Sequence, residues 1–138
     1  MASGGLSVGE VARRFGVRDS ALRFYERRGL LHPSRDSQGQ RRYRPADLRA
    51  LAFLLMCRDG GLQLEEIAVL MTGTSPDGRR WQDIVDERLT QIDAEIARLQ
   101  AARDFLSNAR RCTSEHPAAE CPYAQATLDA ILAEAHLT

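Results

Sequence analysis

The feature that most limits how this 138-residue chain can fold is a run without proline or glycine from residue 79 to about residue 111. Along it, apolar side chains recur at Val85, Leu89, Ile92, Ile96, Leu99 and Leu106. Spacings of four, three, four, three and seven make a heptad seam on one side of a helix. At 1.5 Å per residue that helix is roughly 50 Å long, too long for a head of about 80 residues to cover. The seam needs a partner helix, and the simplest partner is a second copy of the chain. Val85, Leu89, Ile92, Ile96 and Leu99 are therefore the expected dimerisation residues. Arg103 stands where the seam calls for an apolar side chain, so the coil is expected to end or loosen there.

The formal net charge of zero hides an uneven distribution. Residues 1–50 carry 11 arginines against 5 acids, a balance of +6, and residues 51–138 carry 8 against 14, a balance of −6. All 19 basic residues are arginine, the better bidentate binder of phosphate and guanine. A basic first half joined to an acidic second half points to a nucleic-acid-binding head with another task behind it. Apolar stretches such as Leu48–Met56 are interrupted by arginine and fall short of the roughly 18 residues of a membrane span. The N-terminus lacks a basic segment followed by an apolar core, so no secretory signal is expected and the reading is a cytoplasmic protein. Three cysteines, Cys57, Cys112 and Cys121, are too few for a disulfide scaffold and read as core, metal or redox thiols.

Within the basic half, Ser7 followed by Glu10 forms a capping-box signature, and Val8, Val11, Ala12 and Phe15 share one helical face before Gly16 stops the helix. A second helix opens at Arg18 or Asp19 and closes at Gly29. Ala21, Leu22 and Tyr25 are spaced to pack inward, whereas Arg18, Ser20, Arg23 and Arg27 face out. Leu22 and Phe24 are read as core, and Tyr25 as a ring that packs while its hydroxyl reaches outward. Two short helices about a tight glycine turn make a helix-turn-helix, whose second helix fits a major groove. Leu30 to Arg44 reads as a two-stranded hairpin turning near Ser37–Gly39, its arginines placed to ride on phosphates. Pro45 starts a third helix that ends at Gly60–Gly61, with Cys57 in its apolar face, and a short fourth runs from Leu64 to Met71. Thr72–Gly78 has linker chemistry. After the long helix, Cys112 to Pro122 is a proline-bearing loop, and an amphipathic helix from Ala124 to about Ala135 closes the chain.

The segments Ser20-Ala-Leu-Arg-Phe-Tyr-Glu-Arg-Arg-Gly-Leu-Leu31, Gly39-Gln-Arg-Arg-Tyr43 and Gly61-Leu-Gln-Leu-Glu-Glu-Ile67 together resemble the MerR family of bacterial transcription regulators. The likeness covers residues 6 to about 72 by motif and extends to about 111 by layout. It implies a mainly α fold, a winged helix-turn-helix head with a long dimerisation helix, antiparallel in the dimer, and a short C-terminal helix. The segments would be a DNA-binding domain at 1–73, linker and long helix at 74–111, and an effector-sensing loop with the last helix at 112–138. The implied partners are a second copy, a pseudo-palindromic promoter that is bent and untwisted, and RNA polymerase. Matched position by position, Arg23 and Tyr25 correspond to DNA contacts of the recognition helix, and Arg41 and Tyr43 to those of the wing. Arg18, Ser20 and Arg42 complete the expected DNA-binding set.

A chain this short is not expected to carry the separate ligand-capturing domain of the family's drug sensors, which leaves the loop as the expected sensor. Cys112 and Cys121, with His116 between them, resemble the paired loop cysteines of the family's metal sensors. Thiolate and imidazole suit thiophilic ions such as Zn(II), Cu(I) or Hg(II). Asp77 is the oxygen ligand available near the start of the long helix. A thiol redox or electrophile switch, an organic ligand, and DNA binding without an effector stay open as alternatives. With no glycine-rich phosphate loop, GxSxG elbow or HExxH helix, an enzyme is not expected.

Overall fold

A computed structural model describes residues 4–137. The chain divides into two compact units, Met1–Arg88 and Leu89–Thr138. In the first, α1 (Val8–Phe15) begins as its sequence requires. The Ser7 hydroxyl accepts from the Glu10 amide at 3.2 Å, and the Glu10 carboxylate accepts from the Ser7 amide at 3.0 Å. These bonds hold the Glu10 carboxyl below its usual range and satisfy two N–H groups that the helix leaves free. Gly16 ends α1 in the left-handed region, φ 66°.

Helix α2 (Asp19–Arg27) follows a three-residue connection, residues 16–18. A hairpin comes next, with β1 (Ser34–Arg35) antiparallel to β2 (Arg41–Arg42). Its register pairs Ser34 with Arg42 and Arg35 with Arg41. The turn is closed by Asp36, whose Oδ1 accepts from the amides of Gln38 and Gln40, each at 2.9 Å. A link that local patterning does not announce joins the wing to the start of the chain. Leu6 and Tyr43 exchange backbone hydrogen bonds of 2.9 Å in both directions.

Helices α3 (Pro45–Asp59) and α4 (Leu64–Thr72) complete this unit. Val11, Leu22, Leu31, Leu51, Leu54 and Ile67 are each at most 2% exposed, and burying a side chain of this size contributes about 1.5–3 kcal/mol. Cys57 lies in the same core, at 8% exposure.

The long helix α5 runs over Trp81–Ala109, close to its expected limits. Its first turns bury Ile84, at 1% exposure, and Arg88 donates from Nε to the Gly60 carbonyl at 2.7 Å. Gly61, at φ +85°, lies directly under the Arg88 guanidinium, where a Cβ would collide with it. Gly61→Ala is expected to destabilise the protein by about 1–3 kcal/mol in urea unfolding. Gly16→Ala, equally left-handed but with open space around the new Cβ, should cost less, about 1 kcal/mol. Equal losses would show that the Arg88 contact contributes nothing.

In the second unit, the expected loop contains a four-residue helix, α6 (Pro117–Glu120), before α7 (Pro122–Glu134). Proline stands at the first position of both, where its missing N–H is harmless. No helix among the described residues is long and apolar enough to cross a membrane.

Candidate nucleic-acid interface and thiol pair

Helix α2 presents two chemistries because its inner face is fully used. Leu22 is completely buried and Tyr25 is 8% exposed, the Tyr25 hydroxyl lying against the Arg58 guanidinium and raising the pKa of Arg58. Arg18, Ser20 and Arg23 are exposed on the other side. Arg23 donates from Nε to Asp19 Oδ1 at 3.0 Å and from Nη2 to Oδ2 at 3.4 Å. This two-point contact sets the direction of the guanidinium plane and raises its pKa.

The reading of Phe24 as core is corrected. Its ring is 39% exposed, with the guanidinium carbons of Arg27 and Arg28 at 6.0 and 5.8 Å from its centroid. Leu22 and Tyr25 fill the interior, and the cations cover Phe24 by cation–π attraction.

On the wing, Arg41 donates from Nε to Glu26 Oε2, and Arg35 from Nη2 to Glu26 Oε1 at 3.4 Å. Arg42 donates from Nε to Asp36 Oδ2 at 3.3 Å. The Asp36 carboxyl is held below its usual range, first by the Gln40 amide and further by Gln38 and Arg42. The structure places Tyr43 inside the head, at 0% exposure. Its hydroxyl has no hydrogen-bond partner among the described residues, and burial raises its pKa. Tyr43 thus stands behind the accessible basic face, which Arg18, Ser20, Arg23 and Arg42 occupy with the partly exposed Arg41. Glu26 and Arg35 were not singled out from the sequence. A lone acid in the basic run Arg23–Arg28 was the available signal.

The second unit brings together two of the three proposed metal ligands. Cys112, which follows α5, and Cys121, which opens α7, are both free thiols and lie within interaction distance of each other. Burial pushes the Cys121 thiol up. The Ala124 and Tyr123 amides at the start of α7 and the Cys112 thiol outweigh it and hold Cys121 below the ordinary thiol range. His116 does not join them. It is exposed at the start of α6, with its amide bonded to Ser114 Oγ at 3.0 Å. Among the described residues no three His, Cys, Asp or Glu side chains are grouped to hold an ion. Asp77 is occupied locally by the Ser75 hydroxyl and the Arg79 amide.

The outer seam of α5 stays open to solvent in the single chain. Leu89 is 51% exposed, Ile96 57% and Leu99 52%, with Val85 and Ile92 intermediate.

Residues 6–74 match the model of the MerR HTH family regulatory protein, and residues 48–109 that of the MerR DNA-binding region. The regulator CueR of Salmonella typhi is 32% identical over 122 residues, covering 85% of this chain and 88% of that protein. ZntR of Escherichia coli K12 is 32% identical over 126 residues, covering 86% and 89%. The fold is similar to that of HiNmlR, a MerR family regulator lacking the sensor domain and solved bound to promoter DNA. That structure has a TM-score of 0.53 and 24% identity over 76% of this chain and 88% of its own. The N-terminal part of MtaN from Bacillus subtilis gives a TM-score of 0.57 at 23% identity, covering 78% and 99%. With its head, wing and long helix all falling within these matches, the chain belongs to the MerR family of DNA-binding transcription regulators and is not an enzyme.

Proposed function

We propose that the protein acts in the cytoplasm as a homodimer. It places two recognition helices on a pseudo-palindromic promoter and controls transcription by RNA polymerase through distortion of the DNA. The observation that carries this reading is the α2 surface, where Arg18, Ser20 and Arg23 stand exposed over a closed core beside an arginine-bearing wing. Such a crest matches a major groove flanked by phosphates. Arg23 reads a base edge, its guanidinium steered by Asp19, and Arg41 addresses phosphate with the terminal nitrogens that Glu26 leaves.

The two roles predict different losses. Arg23→Ala should weaken binding to the preferred duplex by about 1–3 kcal/mol and relax sequence preference. Arg41→Ala should weaken all duplexes alike and lower the salt slope by about one unit. Salt-dependent titrations on a duplex selected from a random pool, and on its scramble, check this. Identical behaviour of the two variants would refute the division of roles.

The proposed effector is a thiophilic metal ion held by Cys112 and Cys121, which would tie the end of α5 to the start of α7. Two neighbouring thiols, one with a depressed pKa, and no grouping of three ligand side chains among the described residues suit a soft ion better than a four-coordinate one. The same contact favours a second reading, in which the pair closes to a disulfide by giving two electrons and two protons to an oxidant.

A further inference from the structure

We infer that Glu26 is a positioning residue for DNA recognition, holding the wing at a fixed offset from the recognition helix and keeping two wing arginines from acting as loose phosphate binders. The inference rests on the reading of α2 and the wing as the DNA-binding face. Three observations converge on it. First, the two carboxylate oxygens of Glu26 are divided between the two strands, Oε1 to Arg35 on β1 and Oε2 to Arg41 on β2. Second, Arg35 and Arg41 are direct cross-strand partners. Like charges placed opposite each other on an antiparallel pair repel, and this ladder has only two residues in each strand. A carboxylate placed between them turns the repulsion into a three-residue ion network. Third, the network is partly shielded, with Glu26 and Arg41 side chains 22% and 18% exposed, so water screens it less than an ordinary surface pair.

Helix and wing are thereby joined by charge in addition to the apolar core that Tyr43, next to β2, shares with Leu22 and Tyr25 of α2, and the charged join lies on the face read as meeting DNA. A phosphate that approaches Arg35 or Arg41 must compete with a carboxylate fixed on α2. Extra phosphate contacts by Arg35 are penalised on every duplex, whereas only the selected duplex meets Arg23 and the wing together at the held offset. Glu26 thus discriminates by restraining the arginines and touches no base itself.

The test uses the full chain and two probes: the duplex that the wild type selects from a random pool, and a scramble of the same composition. Glu26→Gln keeps the side-chain size and removes the charge. The expected result is a fall of about tenfold in the ratio of selected to scrambled affinity, with scrambled binding unchanged or tighter. The slope of log K against log salt should steepen by roughly one unit as Arg35 becomes free, Arg41 already making its phosphate contact. Glu26→Asp, which keeps the charge, should retain the wild-type slope while losing part of the selectivity. A Glu26→Gln protein with wild-type ratio and slope would overturn the inference. So would parallel losses on both duplexes at an unchanged slope, the signature of a purely structural residue. If Glu26→Gln does not fold by circular dichroism, Glu26→Asp decides alone, and a steepened slope in it would be fatal. Failure of the underlying DNA-face reading looks different, because the wild type would then select no duplex or would ignore Arg23→Ala.

Discussion

Replacing Ile92 and Ile96 together by aspartate is expected to leave the protein monomeric at micromolar concentration and to abolish tight binding to a two-half-site duplex. Ile96 is 57% exposed in the single chain and shares its stripe with Leu89 and Leu99. Burial of an isoleucine contributes about 1.5–3 kcal/mol. Two per chain, counted on both chains, amount to roughly 6–12 kcal/mol, before any repulsion among four introduced carboxylates. That range brackets the total free energy of a micromolar dimer, about 8 kcal/mol, and the charge repulsion adds to the loss. Ala94→Asp, on the opposite face of α5, should leave the dimer intact. Sedimentation of the three proteins decides the matter. A dimer that survives both aspartates, or a wild type already monomeric, would remove α5 as the pairing surface.

The second large effect is expected at the thiols. Reduced wild-type protein should bind one Cu(I) per protomer about three orders of magnitude more tightly than the Cys112→Ser/Cys121→Ser variant, with a smaller difference for Zn(II), because two soft ligands satisfy the former better. Competition titrations with a chromophoric chelator give both numbers. Protons compete for the ligands, so affinity falls as pH falls. The Cys121 thiol is held below its ordinary range, which favours the thiolate in the folded chain. Its contribution therefore survives acidification further than that of a free thiol and disappears only as pH drops through the lowered value. Removing Cys112 takes away one of the groups that lower it, so in Cys112→Ala the loss should begin at higher pH. Equal affinity in wild type and double variant for both ions would end the metal reading.

What could be read in advance divides along the range of the interactions involved. The Ser7–Glu10 box, the Gly16 stop and the limits of α5 depend on neighbours within a few positions, and periodicity carries that information. The exposure of Phe24 lies beyond local patterning because it depends on which side chains win the interior. Leu22 and Tyr25 do, and Arg27 and Arg28 make exposure of the ring tolerable. The burial of Tyr43 depends on a bridge to Leu6, remote in sequence, and Ile84 is taken into the first unit although it lies beside the heptad stripe. At the thiols, composition supplied three candidate ligands. The chain direction at α6 and α7 joined Cys112 with Cys121 and left His116 outside.

The choice of arginine for every cation on the DNA-facing surface has a consequence for regulation. A guanidinium does not lose its proton at any pH a folded protein survives, and acetylation, which neutralises lysine, has no target among these groups. The Asp36 carboxyl beside Arg42 is held ionised to lower pH than usual. The cations of that surface therefore keep their charge across the cell's acid–base swings. On the proposed reading, recognition rests on permanent cations and responsiveness on thiols, two different chemistries, which lets one drift in sequence without detuning the other.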